Sequence, residues 1–230
     1  VVFSGGTNKI IGAAGESFRI GMNGGRGDLI ITNGALMEMA FANLRMGDGT
    51  FGSTSNSLGN ILVSADSTVS KFVISNTMYL GIFAQQHSYG RVDLGNMNGG
   101  VIEIGNTGTV SNGWDMIIGQ GAFIATNANV TYGQYTNTEG NPHGQISVGV
   151  FDATTGLVRH VNSSVNLSNV NSINVGWGPN AGVGSFIIEG GTNVGKVNTL
   201  QAGLGTGSRG LIVFGGSGTI RNINTTLGTV

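Results

Sequence analysis

Two consecutive stretches of the sequence share one layout: residues 173–198, INVGWGPNAGVGSFIIEGGTNVGKVN, and residues 200–224, LQAGLGTGSRGLIVFGGSGTIRNIN. Each contains three short apolar segments separated by glycine-rich turns. Within the segments apolar residues alternate with other residues, which is the period of a β-strand and not of a helix. Three strands and three turns in roughly 26–27 residues predict one triangular coil of a repeat protein.

A four-residue phrase extends this pattern along the chain. It consists of an apolar residue, any residue, an apolar or small residue, and glycine, and its glycines are 26, 34, 38, 30, 27 and 27 residues apart. Similar phrases at 92–95 and 102–105 leave the register between residues 82 and 115 open. The copies are 18–21 (FRIG), 44–47 (LRMG), 78–81 (MYLG), 116–119 (MIIG), 146–149 (ISVG), 173–176 (INVG) and 200–203 (LQAG).

These repeats predict an all-β fold: a parallel β-helix, or β-solenoid, of about seven to eight triangular coils. We expect residues 1–230 to form a single domain without a separate linker or cap, with loops inserted at corners near 53–60 and 134–144. Coils that stack at the strand spacing of ~4.8 Å would build a rod roughly 35–40 Å long. A β-sandwich or barrel is the alternative, but its strands do not repeat in sequence.

Strand alternation also limits which residues form the core. One of Phe186 and Ile187, and one of Ile212 and Val213, should point into the solenoid. The sequence alone leaves open which member of each pair does so.

Residues 18–35, FRIGMNGGRGDLIITNGA, resemble the strand repeat of bacterial type V secretion (autotransporter) passengers and of PEP-CTERM-associated surface proteins. The resemblance recurs at 180–191 and 208–216, and residues 59–69 are similar to the companion segment. It implies a right-handed parallel β-helix on or outside a Gram-negative cell. It carries over no catalytic residue.

The composition narrows the functional classes. Only 9% of the residues are charged, 39% are hydrophobic, 43 are glycine and the net charge is −1. The ten Lys and Arg residues are scattered, so no basic patch for nucleic acid is expected, and no apolar stretch is long enough to span a membrane. Without cysteine the chain has neither disulfides nor thiolate metal sites. This glycine-rich composition is typical of extracellular or bacterial cell-surface proteins.

An enzymatic site is not expected, because the acidic residues occur about once per coil without a clustered pair. The alternative function is a polysaccharide-binding or polysaccharide-degrading β-helix, either pectin-lyase-like or tailspike-like, in which carboxylates on neighbouring coils converge. The acidic residues are Glu16, Asp28, Glu38, Asp48, Asp66, Asp93, Glu103, Asp115, Glu139, Asp152 and Glu189.

Ligand motifs are weak. The tripeptide Arg26-Gly27-Asp28 fits the recurring Gly-x-Gly-x-Leu slot better than an integrin-binding loop, and as a calcium motif it occurs only once. The histidines lack metal-ligand spacing, so neither a metal nor a cofactor is predicted. Four aromatic residues would form a sugar-binding platform if exposed, although corner packing is the simpler interpretation. The histidines are His87, His143 and His160, and the aromatic residues are Trp114, Tyr132, Tyr135 and Trp177.

The two ends of the sequence are complementary in coil phase. The start, VVFSGG, aligns with IVFGG at 212–216, and the last residues, TLGTV, align with the start of a further coil. A solenoid without end caps leaves strand edges unpaired. We therefore predict a self-associating structural protein, a fibre subunit or adhesin stalk whose partners are further copies of itself and, secondarily, surface glycans. The predicted self-association residues are Val1, Val2, Phe3, Leu227 and Val230.

Overall fold

The computed structural model describes residues 1–13, 15–49, 56–82, 87–105, 114–133, 144–178 and 181–227, without the side chains of 222–224. All the strand pairs in this part of the chain are parallel, and each strand between the first and last coils pairs with strands one coil before and one coil after it. The prediction of a parallel β-solenoid is confirmed. Among these residues no helix has the length and apolarity needed to span a membrane.

The coils have three faces, which we call the first, second and third face in chain order. The first face is a sheet of eight strands: β1 (Val2–Ser4), β4 (Arg26–Thr32), β7 (Ser57–Val63), β10 (Ser88–Asn96), β13 (Gly121–Thr126), β16 (Thr155–Val161), β19 (Val183–Glu189) and β21 (Arg209–Phe214). The second face contains β2 (Thr7–Ile11), β5 (Leu36–Phe41), β8 (Thr68–Ile74), β11 (Val101–Ile104), β14 (Asn129–Tyr132) and β17 (Ser164–Asn166). The third face contains β3 (Ser17–Ile20), β6 (Asn43–Met46), β9 (Met78–Leu80), β12 (Trp114–Ile118), β15 (Gly144–Val148) and β18 (Val170–Val175).

The last two coils differ from the triangular ones. In each of them one long strand replaces the separate strands of the second and third faces, so that these two faces merge into a single 14-stranded sheet. The corner that 167–169 form between β17 and β18 has no counterpart in the next coil, where the chain continues as a strand. The segments 194–197 and 200–202, predicted as two strands, therefore lie in one. The two long strands are β20 (Thr192–Ala202) and β22 (Ser217–Leu227).

The four-residue phrase sets the register of the third face. All seven copies stack position on position, from Phe18 opposite Leu44 at one end to Ile173 opposite Leu200 at the other. The two competing phrases lie elsewhere, at 92–95 in β10 on the first face and at 102–105 on the second. The register that the sequence left open between residues 82 and 115 is thereby assigned.

A second column of seven glycines explains why each phrase ends in glycine. These residues lie in register on the first face, directly against the phrase glycines of the third face. A Cβ on Gly90 would come 2.6 Å from Met46 O, and one on Gly47, whose φ is +57°, would overlap Tyr89 O. Side chains at this corner would push the faces apart, so the tight turn requires glycine on both sides. The column consists of Gly27, Gly59, Gly90, Gly121, Gly156, Gly184 and Gly210.

The core consists of the inward residues of all three faces. Phe186 is fully buried while its neighbour Ile187 is only half-buried, and Phe186 lies opposite Ile212, which packs against the core. Val213, next to Ile212, is 36% exposed. Phe186 and Ile212 are thus the inward members of the two pairs that the sequence left undecided.

One predicted corner loop was partly wrong. Residues 57–60 of the segment 53–60 belong to strand β7, because Gly59 is a member of the first-face glycine column. Residues 53–55 lie outside the described part of the chain. The second predicted loop, 134–144, also lies outside it except for Gly144, which begins β15.

Candidate functional site

The N-terminal end of the solenoid exposes both strand edges and core. We define the N-terminal end face as Val1, Val2, Phe3, Ile10 and Phe18. Val1 is 79% and Val2 61% exposed, while the other three are partly buried and pack on the core. The aromatic ring of Phe18 stacks on that of Phe41 of the next coil, with 4.4 Å between ring centroids. The end face opens into a concavity of about 580 Å³, so the apolar interior is accessible from this side.

The edge of β1 has main-chain groups available for pairing. Val1 O accepts a hydrogen bond from Ile30 N at 2.9 Å, and Gly5 N donates to Thr32 O at 3.1 Å. Because the groups of successive residues in a parallel strand point alternately to either side, those of Val2 and Ser4 point away from β4. A further parallel strand would find donors and acceptors there.

The C-terminal end face, defined as Ile212, Phe214, Ile220 and Leu227, is also apolar. The first three side chains are only partly buried, although they pack on the core. Leu227 is 70% exposed and lies opposite Ala202, a position that points inward in the coils below. Of the predicted self-association residues, Val1, Val2, Phe3 and Leu227 thus lie at the two ends, and Val230 lies outside the described residues.

The two end faces match in register. Phe3 and Phe214 occupy the same inward column of the first face, which passes through Ile31 and Ile188. On the third face, Leu227 of the last coil and Ile20 of the first coil likewise belong to one inward column. A coil in the phase of the N-terminal one, stacked on the C-terminal end, would therefore place apolar residues next to apolar residues.

The corner between the second and third faces permits this stacking. The N-terminal coil has a corner between β2 and β3, while β22 runs straight through the corresponding position. The chain already joins a coil with this corner to a straight one in the opposite order, because β17 and β18, joined by 167–169, pair with the straight β20. The mismatch in coil shape is therefore one that this fold accommodates.

A buried polar pair, which the sequence analysis missed, lies in the core. Tyr132 Oη and His160 Nε2 are 2.8 Å apart, and both side chains are fully buried. Burial lowers the pKa of His160 to about 3, and burial, with a smaller contribution from Asp115, raises the pKa of Tyr132 well above its ordinary value. Both groups are therefore neutral at pH 7, and enclosure in the core keeps them from any substrate. An alignment on Gly156 and Gly184 would have placed His160 opposite Ile188 and identified it as a core residue.

The most buried ion pair lies on the outer side of the third face. Arg45 Nη2 and Asp48 Oδ2 are 2.5 Å apart, and the Arg45 guanidinium lies 5.3 Å from the ring centroid of Tyr79. Burial raises the pKa of Asp48, and the charge of Arg45 partly opposes this effect. The guanidinium thus joins Asp48 of its own coil to the Tyr79 ring of the next coil and braces the two coils.

The remaining predicted residues do not form one site. The tripeptide Arg26-Gly27-Asp28 belongs to strand β4, with Gly27 in the glycine column. No group of three or more His, Asp or Glu side chains in the described ranges is placed to hold a metal ion. His87 Nδ1 lies 3.1 Å from Asn56 Oδ1, and His143 lies outside the described residues.

The aromatic residues weighed as a sugar-binding platform are separated in the described part of the chain. Tyr132 is fully buried, because its ring occupies an inward position of β14. Trp114, 42% exposed, begins β12, whereas Trp177, 49% exposed, follows β18 two coils later at the opposite end of the third face. Tyr135 lies outside the described residues.

Comparison with protein-family models, with curated proteins and with solved structures found no match to this chain.

Proposed function

We propose that this protein is an extracellular structural subunit whose copies stack head to tail into a surface or matrix fibre, or into the stalk of an adhesin. The observation that carries the proposal is the match in register between the two end faces, which continues Phe214 into Phe3 and Leu227 into Ile20. Each junction would extend the parallel sheets and cover the apolar interior at both ends. A contact of this type repeats without closing and generates a filament.

Two further observations support this function. The low charge of the chain, with a net value of −1, keeps repulsion between stacked subunits small. The resemblance of residues 18–35 to the strand repeat of autotransporter passengers and PEP-CTERM-associated proteins supports a location on or outside a bacterial cell. In this proposal the rod is a support and performs no catalysis.

The test is electron microscopy and analytical ultracentrifugation of the purified chain. We expect filaments with an axial repeat of roughly 38 Å, which is eight coils at ~4.8 Å each. Ser4→Pro removes an amide N–H from the free edge of β1 and should shorten or abolish the filaments. Ser4→Ala is the matched control: it retains the N–H and should form filaments like the wild type.

Two results would contradict the proposal. One is a wild-type chain that stays monomeric at high concentration. The other is native material whose intact mass shows further coils of the same polypeptide already covering the end faces. Equal filament formation by both Ser4 variants would show that the edge of β1 is not the contact.

A further inference from the structure

The first face carries an apolar stripe on its outer side, parallel to the axis of the rod. The residues stack in register, one per coil, and alternate along their strands with core residues. Ile30, Leu62, Ile124 and Ile187 are half-buried, and Val213 is 36% exposed. We call the part of this column from β4 to β21 the outer stripe: Ile30, Leu62, Asp93, Ile124, Arg159, Ile187 and Val213. Val2 continues the column into the first coil and is counted with the N-terminal end face.

An aliphatic row on a flat sheet face is unusual at a free surface, because such rows more commonly form contacts with other proteins. The stripe shares no residue with the two end faces as defined above, although Val2 continues it at one end and Val213 lies in the last coil. It also lies away from the buried polar groups of the core. Its occupant must therefore be identified from its charges.

Two charged residues interrupt the stripe, and their positions are symmetric about Ile124. Asp93 lies one coil before Ile124, and Arg159 lies one coil after it. Each already has a neighbour in its own chain. Arg91 Nη2 is 2.7 Å from Asp93 Oδ2, and Arg159 Nη2 is 2.8 Å from Glu189 Oε2. Side-chain exposures of 26% for Asp93 and 45% for Arg159 leave both accessible to a partner.

We propose that the outer stripe binds a second copy of this chain, with the two rods antiparallel and the two-fold axis passing beside Ile124 along the strand direction. This rotation keeps the stripe on the stripe and reverses the order of the coils. Asp93 of each copy then faces Arg159 of the other, and Ile124 faces Ile124. The facing pairs are Ile30 with Val213, Leu62 with Ile187, and Asp93 with Arg159, each formed twice.

The charges discriminate against other arrangements. A parallel pair of rods would place Asp93 on Asp93 and Arg159 on Arg159. An antiparallel pair centred on either charged residue would also bring two like charges together. Only the arrangement centred on Ile124 gives opposite charges at both positions, and like charges that face each other at an interface are strongly unfavourable. The pairing also joins Arg91, Asp93, Arg159 and Glu189 into alternating networks of four charges across the interface.

Charge reversal provides the sharpest test. Asp93→Arg should separate the rods by placing two arginines opposite each other, and Arg159→Asp should do so with two carboxylates. An equimolar mixture of the two variants should associate again, because every facing pair in the mixed dimer then has opposite signs. We expect each variant alone to associate on the order of 100-fold more weakly than the parent, with near-parental association in the mixture.

The measurement is sedimentation equilibrium at low ionic strength in a Ser4→Pro background, which separates lateral pairing from end-to-end stacking. Each substitution also disturbs the ion pair within its own chain. That disturbance is the same in the single and the mixed samples, so recovery on mixing reports contacts between chains alone. Circular dichroism of each variant checks that the solenoid is retained.

Spin labels test the geometry independently, since the chain contains no cysteine. Ile124→Cys places two labels on opposite sides of the axis, and sheets that pack face to face are roughly 10 Å apart. Val213→Cys places them six coils apart, roughly 29 Å along the rod at ~4.8 Å per coil. Both variants should therefore give measurable electron–electron distances, the first much shorter than the second.

The outcomes are distinct. A parent protein that remains monomeric in the Ser4→Pro background would refute the lateral contact, whatever happens at the end faces. A dimeric parent whose variants fail to recover on mixing, or whose two label positions give equal distances, would refute the antiparallel arrangement.

Discussion

Acidification should destabilise the solenoid through the single buried residue His160. Its imidazole is fully enclosed by the core, Nε2 is hydrogen-bonded to Tyr132, and Nδ1 has no hydrogen-bond partner among the described residues. Protonation would bury a positive charge with an N–H that lacks an acceptor. The folded state therefore resists protonation, while the unfolded chain does not.

The magnitude follows from the two pKa values of His160. Burial lowers the folded pKa to about 3 from an ordinary value of 6.5. A histidine whose folded pKa is depressed contributes stability that is complete above the unfolded pKa and is lost as the pH falls. The loss begins near pH 6.5 and amounts to about 2 kcal/mol by pH 5, at ~1.36 kcal/mol per pH unit. It continues to grow until the pH reaches the folded value.

The assay is guanidinium unfolding at several pH values between 7.5 and 5.0, where titration of carboxylates is still limited. The comparison variant is Tyr132→Phe/His160→Leu, which removes the pair together and leaves no buried group unsatisfied. We expect the wild type to lose about 2 kcal/mol across this range relative to the variant.

Groups that titrate in the same way in both proteins cancel in the difference. If the wild type and the double variant show the same pH dependence, His160 is either accessible to water or protonated in the fold, and the reasoning about its burial is wrong.

Two further predictions concern the strand β19. Phe186→Ala should cost about 3–5 kcal/mol of unfolding free energy, because it leaves a cavity between the rings of Tyr132 and Phe214, whereas Ile187→Ala, at a half-buried outer position, should cost much less. Thermal and guanidinium unfolding compare the two variants, and equal losses would reverse the assignment of inner and outer faces. Gly184→Ala should cost about 1–3 kcal/mol, because the new Cβ would overlap Val148 O at the corner, while Ser185→Ala next to it should have little effect. Full stability of Gly184→Ala in the same assay would show that the corner can relax.

The sequence was sufficient to predict the repeat and, outside residues 82–115, its register on the third face. An apolar-x-apolar-glycine phrase has strong physical causes, because the apolar residues stack in the core and the glycine packs on the backbone of the next coil. The phrase can therefore be recognised from 18–21 to 200–203, although the segments between successive copies differ in length. Corner loops do not disturb this register, since each coil contacts only its neighbours.

Other features could not be predicted because they depend on contacts between coils, which neither the composition nor the repeat pattern describes. The merging of two faces in β20 depends on how one turn packs on the coil below. The sequence left open whether Tyr132 is exposed, and His160 belongs to no motif; each is compatible with the core only because the other is there. The outer stripe escaped notice because its members become neighbours only when the first face is assembled, and Asp93 and Arg159 interrupt its apolar pattern.

The stacking of the coils determines how this rod would yield under load. Hydrogen bonds between coils run along the axis, so a pull on the two ends of the rod loads every layer equally. The junction between the last triangular coil and the first two-sided one keeps its pairing on all three faces, because β19 continues the first face and β20 pairs with both β17 and β18. Each terminal coil, by contrast, contacts a neighbour on one side only, so the chain would be released from an end, coil by coil. Each coil of roughly 27 residues would lengthen the tether by about 90 Å at ~3.4 Å per residue.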